Sequence, residues 1–192
     1  MATQTAGLVR VVDGALVPAP GTWEFDVGHS EISFEGRHLA ARVRGRFLKF
    51  SGRLIVAERP SESVAELDID ATSLFSGFND RDHHLRSADW FAVDEYPTIA
   101  FRSRSGRHVG WNHWRVNGDL TVRGITGDVE CDVEFGGADV DPWGNRKLGL
   151  EVVASLDREK FGLRWNAPLA SGGWLVGREV TVRASIEAVL AA

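Results

Sequence analysis

Between Trp114 and Val122 the side chains alternate strictly in character. Trp114, Val116, Gly118, Leu120 and Val122 fall on one face, and Arg115, Asn117, Asp119, Thr121 and then Arg123 on the other. A period of two residues belongs to an extended strand with one buried and one wet face, and a helix would scatter it around its circumference. After Gly124-Ile125-Thr126-Gly127, read as a turn, the alternation resumes with Val129, Cys131, Val133 and Phe135 against Glu130, Asp132 and Glu134. The two stretches predict an antiparallel hairpin. Its outer faces carry opposite charge, Arg115 and Arg123 against Glu130, Asp132 and Glu134, and each such cross-strand pair adds about 0.2–1 kcal/mol.

The same pattern recurs at Trp23–Val27, Ile32–Phe34, Leu67–Ala71, Ile99–Phe101, Leu148–Leu156 and Val180–Ile186. With the segment Val43–Val56 it predicts roughly eight strands. Short antiparallel strands with one wet face assemble as a sandwich or as a closed barrel, and closure is the arrangement that leaves no exposed edge. One segment departs from the alternation. Gly77–Phe91 reads as a short helix, with Asn79 or Asp80 capping its start, Leu85, Ala88 and Phe91 at three-residue spacing, and Pro97 barring helix beyond Tyr96. A second helical turn is expected around Asp157–Leu163. Residues 1–21 stand apart as an N-terminal extension, in which Asp13-Gly14 between Val9–Val12 and Ala15–Val17 predicts a small hairpin. Pro18-Ala19-Pro20-Gly21 then separates it from the body, residues 22–192.

The chain carries 22 basic and 27 acidic side chains, a net charge of -5. Nucleic acid and anionic membrane surfaces therefore find little electrostatic support as partners. The single cysteine, Cys131, leaves no intrachain disulfide and no cysteine cluster for zinc or iron–sulfur. No run approaches the ~18 apolar residues of a membrane span, and without the apolar core of an export signal a cytoplasmic location is expected. No metal is expected either: His83 and His84 are adjacent and point apart on a helix, and His108 and His113 flank a turn with no further ligand beside them. No G-x-S-x-G, H-E-x-x-H, P-loop or dinucleotide fingerprint occurs.

The aromatic inventory says more, with 10 Phe and 7 Trp against a single Tyr. A barrel of about eight strands is either plugged by its own side chains or holds one small or elongated guest. Trp23, Phe25, Phe34, Phe47, Phe101 and Trp114 suit core filling or pocket lining equally. The inner faces, however, mix these rings with Gly45, Gly118, Cys131, Ala154 and Ala184 and carry almost no charge. A cavity so lined would be dry and would favour an apolar guest, each buried methylene contributing about 0.8 kcal/mol. Strand parity selects Phe34, Phe47, Phe101, Trp114, Val116, Leu120, Val133 and Val182 as candidate lumen residues.

A set of local strings adds to this reading: Trp23 with His29-Ser30 and Phe34; Gly45-Arg46-Phe47 leading to Phe50-Ser51-Gly52; Asp68 to Leu74; Arg81 to Phe91 followed by Tyr96-Pro97; Phe101-Arg102-Ser103; Gly118 to Thr126; and Arg158 to Leu163. In this order, from about Trp23 to the carboxyl end, they resemble the YceI-like family, lipocalin-like barrels known as polyisoprenoid-binding or lipid-binding proteins. The resemblance implies an all-β fold, an eight-stranded antiparallel lipocalin-like barrel with one or two short helices. It also implies a lumen that takes a long isoprenoid chain, a quinone tail or polyprenyl lipid, for carriage, storage or sequestration. The family shares no catalytic apparatus, so no catalytic residue and no cofactor beyond the bound lipid are expected. The Arg81–Phe91 motif is read as mainly structural, Leu85 and Phe91 docking the helix and Asp82 or Arg86 anchoring loops, with His84 and Arg86 also placed to meet a lipid head group. A homodimer is the expected assembly. The competing readings are an enzyme using the same cavity with a histidine such as His38 or His84 as base, and a plugged barrel serving as an interaction module.

Overall fold

The computed structural model describes residues 7–191. Residues 1–6 of the extension set apart above lie outside this range. The first reversal is at Asp13-Gly14, where φ is 50° and 80°, joining β1 (Val9–Val12) to β2 (Ala15–Pro18) with Val12 opposite Ala15. A two-residue loop with both φ values positive follows the right-handed twist of its strands, and Asp-Gly supplies it at low steric cost.

The body begins with β3 (Gly21–Phe25) and β4 (Glu31–His38), a single bent strand interrupted by a 3-10 turn at Val27–His29. The Asp26 carboxylate caps that turn by accepting from the Gly28 amide at 3.1 Å. β5 (Ala41–Phe47) and β6 (Phe50–Val56) return alongside, followed by β7 (Val64–Asp70) and the two-residue β8 (Leu74–Phe75) on the edge of β5. Then come α1 (Asn79–Arg86), β9 (Thr98–His108), β10 (His113–Val122), β11 (Ile125–Val140), β12 (Arg146–Asp157) and β13 (Val176–Leu190). β13 closes the ring. One edge pairs with β12 over Lys147–Asp157, the other with β4 and then with β3 at Ala188–Leu190. With β3/β4 and β5/β6 each taken as one bent strand, β7, β9, β10, β11, β12 and β13 complete an eight-stranded antiparallel barrel.

Several local expectations are corrected. The segment Val43–Val56 is two strands parted at Leu48-Lys49, and the first of them starts at Ala41. The β10–β11 turn is Arg123-Gly124, with φ of 50° and 70° and Val122 opposite Ile125, so Ile125 already belongs to the next strand. Arg115 meets Asp132 at 3.0 Å and Glu130 at 3.4 Å, but Arg123 donates instead to the carbonyls of Trp90 (2.9 Å) and Gly162 (3.4 Å). The cap of α1 is Phe78, whose carbonyl accepts from the Asp82 amide at 3.0 Å. Asp82, buried, accepts in turn from the Ser76 amide at 2.8 Å. The second helical turn is a 3-10 segment, Arg158–Phe161, capped by the Asp157 carboxylate.

The N-terminal hairpin covers one end of the barrel. Leu8, Ala15 and Val17 are buried there, the Leu16 amide donates to the Trp111 carbonyl at 2.6 Å, and Arg10 reaches Glu58 (2.9 Å) and the Ala57 carbonyl (2.5 Å). The opposite end is covered by α1, the 3-10 segment and the loop before β13.

Candidate functional site

Eight strands whose inward residues include this many rings would fill a barrel of this width. Three glycines prevent it. Phe34 lies against Gly45, Phe101 against Gly118 and Phe25 against Gly52, so closely that a Cβ on each glycine would come within 2.4, 2.6 and 2.5 Å of the ring. The rings thus occupy the place of missing side chains on the neighbouring strand instead of projecting across the lumen. The space they leave is a cavity of about 330 Å³. A water needs only ~10–15 Å³ on the same kind of measure, so this is no packing defect, and an apolar wall leaves water few partners. The plugged-barrel reading is set aside.

All eight side chains selected by parity, Phe34, Phe47, Phe101, Trp114, Val116, Leu120, Val133 and Val182, are placed on the cavity wall. Phe25 joins them, whereas Trp23 is fully buried in the core, its Nε1 donating to the Ala19 carbonyl at 3.0 Å. Phe34, Phe47 and Phe91 form an aromatic cluster with centroids 5.6 to 6.4 Å apart, so the segment that follows α1 contributes Phe91 to the wall. Leu85 lines the cavity as well, consistent with its docking role. Parity reasoning missed Val17 and Pro18, which the hairpin contributes to the wall. The signal was present in the apolar Ala15-Leu16-Val17, but a segment read as an appendage was given no part in the lumen.

The wall contains two charged residues, Glu66 and Arg158. Glu66 accepts from Arg53 at 2.8 Å. Arg158 is 2% exposed and among the described residues has no carboxylate nearer than Glu159 at 4.0 Å. Its guanidinium donates instead to main-chain carbonyls, Gly177 at 2.8 Å, Trp165 at 3.2 Å, Val176 at 3.4 Å and Leu163, and lies 5.0 Å from the Trp90 ring. Burial pushes its pKa down from the ordinary arginine value, though a guanidinium stays charged throughout the working range. Arg86 is used in the same manner, on the carbonyls of Thr72 (3.0 Å) and Leu74. His84 stacks edge-on against Trp165 at 4.6 Å with its Nε2 3.4 Å from Asp89. Neither Arg86 nor His84 lines the cavity.

None of the six histidines lines it, so the enzyme alternative finds no imidazole base in the lumen, His38 and His84 included. Cys131 is on the wall, but burial, reinforced by Asp132 and Glu130, pushes its thiol up to about 11, and a thiol so raised is a packing group at neutral pH. Among the described residues Asp26, His29 and Glu187 converge closely enough to share a cation. Lys147 already supplies one, its Nζ standing 3.0 Å from Asp26 and 2.5 Å from Glu187.

With this geometry in place, known proteins provide the comparison. The YceI-like domain pattern matches residues 23–188. A UPF0312 protein of Staphylococcus aureus is 36% identical over 169 residues, covering 85% of this chain and 94% of that protein. The chain belongs to the YceI-like family. Among solved structures, BcnA of Burkholderia cenocepacia superposes with a TM-score of 0.73 at 22% identity, over 85% of this chain and 98% of its own. A polyisoprenoid binding domain from Saccharophagus degradans, implicated in plant cell wall breakdown, gives 0.68 at 17% identity, over 88% and 98%. At these identities the likeness speaks for the YceI barrel alone. The YceI-like match begins at Trp23, beyond the hairpin. No helix among the described residues is long and apolar enough to cross a membrane.

Proposed function

We propose that this YceI-like barrel binds a long-chain apolar isoprenoid, a quinone tail or polyprenyl chain, and serves as its carrier, store or sequestering protein, without catalysis. The observation that carries the reading is the cavity of about 330 Å³ in the lumen, walled by Phe, Val, Leu and Ile side chains and held open by ring-on-glycine packing. Each methylene transferred from water into such a space contributes about 0.8 kcal/mol, so affinity grows with chain length and needs few polar contacts. The eight parity-selected residues would make those contacts, and the description of the Saccharophagus degradans domain as polyisoprenoid binding points the same way.

The test is solvent extraction of purified protein followed by mass spectrometry, with uptake of a quinone and a prenyl alcohol measured on the extracted protein. A prenyl species at near-stoichiometric amount is the expected result. Repeated extractions that yield nothing, joined to no uptake of either added lipid, would overturn the proposal.

A further inference from the structure

Among the described strands, β1 and β2 alone stand outside the ladder of the barrel, forming a two-stranded sheet of their own. The hairpin is nonetheless part of the cavity, because Val17 and Pro18 are on its wall. Its seat is apolar, with Leu8, Ala15 and Val17 buried. Among the described residues its strands make polar ties to the body through two side chains' worth of contacts: the Leu16 amide donates to the Trp111 carbonyl at 2.6 Å, and Arg10 donates to the Ala57 carbonyl at 2.5 Å and to Glu58 at 2.9 Å. Arg10 Nε is buried with no partner among those residues, so lifting the hairpin lets water reach a donor that the seated hairpin leaves unsatisfied.

The link from hairpin to barrel, Pro18-Ala19-Pro20-Gly21, is pinned at its middle by Trp23, whose Nε1 donates to the Ala19 carbonyl at 3.0 Å. Trp23 is itself fully buried. A swing of the hairpin about this link therefore leaves β3 and the barrel ladder in place, and a few loop residues are enough to take up such a motion. At the other end of the cavity the cover is bonded to main-chain carbonyls by Arg86, Arg123 and Arg158. Segments with few ties open at the least cost, and here that segment is the one lying over an apolar cavity.

We propose that the β1–β2 hairpin is the lid of the cavity: it lifts to admit the apolar guest and is then held down by it, the guest's chain adding contacts to Val17 and Pro18. A guest that touches the seated hairpin and not the lifted one must shift the balance toward closure. This rests on the apolar-guest reading above and adds the route and its control.

The experiment uses the full chain and follows loading of N-phenyl-1-naphthylamine by stopped-flow fluorescence. Leu16 and Trp111 are bonded backbone to backbone, which brings their Cα atoms near the separation of about 4.4–6.8 Å that a disulfide spans, so Leu16→Cys with Trp111→Cys can bolt the hairpin down. The oxidised pair, verified by mass spectrometry, is expected to slow loading on the order of tenfold, and reduction to restore it. Leu8→Ala loosens the seat at a residue that is off the cavity wall and is expected to quicken loading several-fold; it decides the matter alone if the cysteines do not join. Saturating probe is expected to slow hydrogen exchange at the Leu16 amide. Loading at the wild-type rate in the bolted protein, or in Leu8→Ala, overturns the lid, and exchange at Leu16 that ignores the probe overturns closure over the guest. These results leave the carrier reading standing provided the wild-type protein binds the probe; wild-type protein that binds neither it nor a prenyl alcohol overturns that reading and this inference together.

Discussion

The two ends of the barrel solve the same problem by different means. An apolar lumen must be covered where its strands stop, and the cover itself brings backbone carbonyls and amides that need partners. At the helix end the partners are long cationic side chains. Arg158 donates to carbonyls of the 163–177 stretch, Arg86 to Thr72 and Leu74, and Arg123 to Trp90 and Gly162. At the hairpin end the cover is a strand pair whose facing backbone groups bond each other and which touches the body through Leu16, Arg10 and the buried Leu8, Ala15 and Val17. The helix end lies within the YceI-like match and the hairpin outside it. A cover sewn down by three arginines strands many carbonyls when it lifts, whereas the hairpin strands only those of Ala57 and Trp111.

Arg158→Met is the sharpest way to break that contrast. The variant keeps much of the volume and removes the donors, leaving the carbonyls of Leu163, Trp165, Val176 and Gly177 short of partners in a buried site. A destabilisation of about 3 kcal/mol or more is expected from urea unfolding. A loss under about 1 kcal/mol would mean that water reaches those carbonyls and that the helix end is no tighter than the other. Next in size is Gly45→Val, aimed at the space between the two covers. Its side chain would displace the Phe34 ring toward the lumen at a cost of about 1–3 kcal/mol, and uptake of an apolar probe should fall several-fold. Unchanged uptake would show that the ring leaves by another direction and that the glycines do not hold the lumen open.

What the sequence discloses follows the range of the forces involved. Period-two alternation is local, and it places all eight lumen residues on the wall because burial on one face of a strand is written into every second position. The Asp13-Gly14 hairpin and the helical turn around Asp157–Leu163 are equally local. The failures are long-range. Arg123 looks like a partner for the acids across its hairpin, yet the segment after α1 brings Trp90 within reach and a buried carbonyl takes the guanidinium. Arg158, one charge among several in a helical turn, gives no sign that it will be enclosed by a loop ending nearly twenty residues later. The bulge at Arg104 is also silent, since Ser103-Arg104-Ser105 has no apolar residue to mark which face is inward. The position of the hairpin over the lumen depends on Trp111 and Glu58, far from it in sequence.

The smaller effects test the hairpin end. Arg10→Ala removes a contact to Glu58 that is largely open to solvent on the acid's side, and such pairs are worth at most about 1 kcal/mol. The urea midpoint should hardly move, while hydrogen exchange at the Leu16 amide, which anchors the hairpin to Trp111, should quicken. A global loss as large as that of Arg158→Met would erase the difference between the ends.

Smallest is a pH effect at the same end, where Lys147 joins Asp26 and Glu187 on the outside of the barrel. The hydrogen bond from Lys147, followed by that from His29, holds the Asp26 carboxyl below its ordinary 3.8. Its contribution is present in full above that value and fades as pH falls through the lowered one. Lys147 is shifted upward from 10.5, chiefly by Glu187 and then Asp26, so its share is complete below 10.5 and is lost as pH rises beyond. The cluster therefore supports the fold across the whole interval between. Asp26→Asn should flatten the stability curve only below about pH 4, seen as a shallower acid limb in urea midpoints. The contacts of Arg158 are made to carbonyls that do not titrate, but Asp157, the cap of the 3-10 segment, is held below its ordinary 3.8 against the opposing pull of burial by the Glu159 amide and then Arg178, so an acid limb that persists unchanged in Asp26→Asn would place the pH-sensitive contact at the helix end.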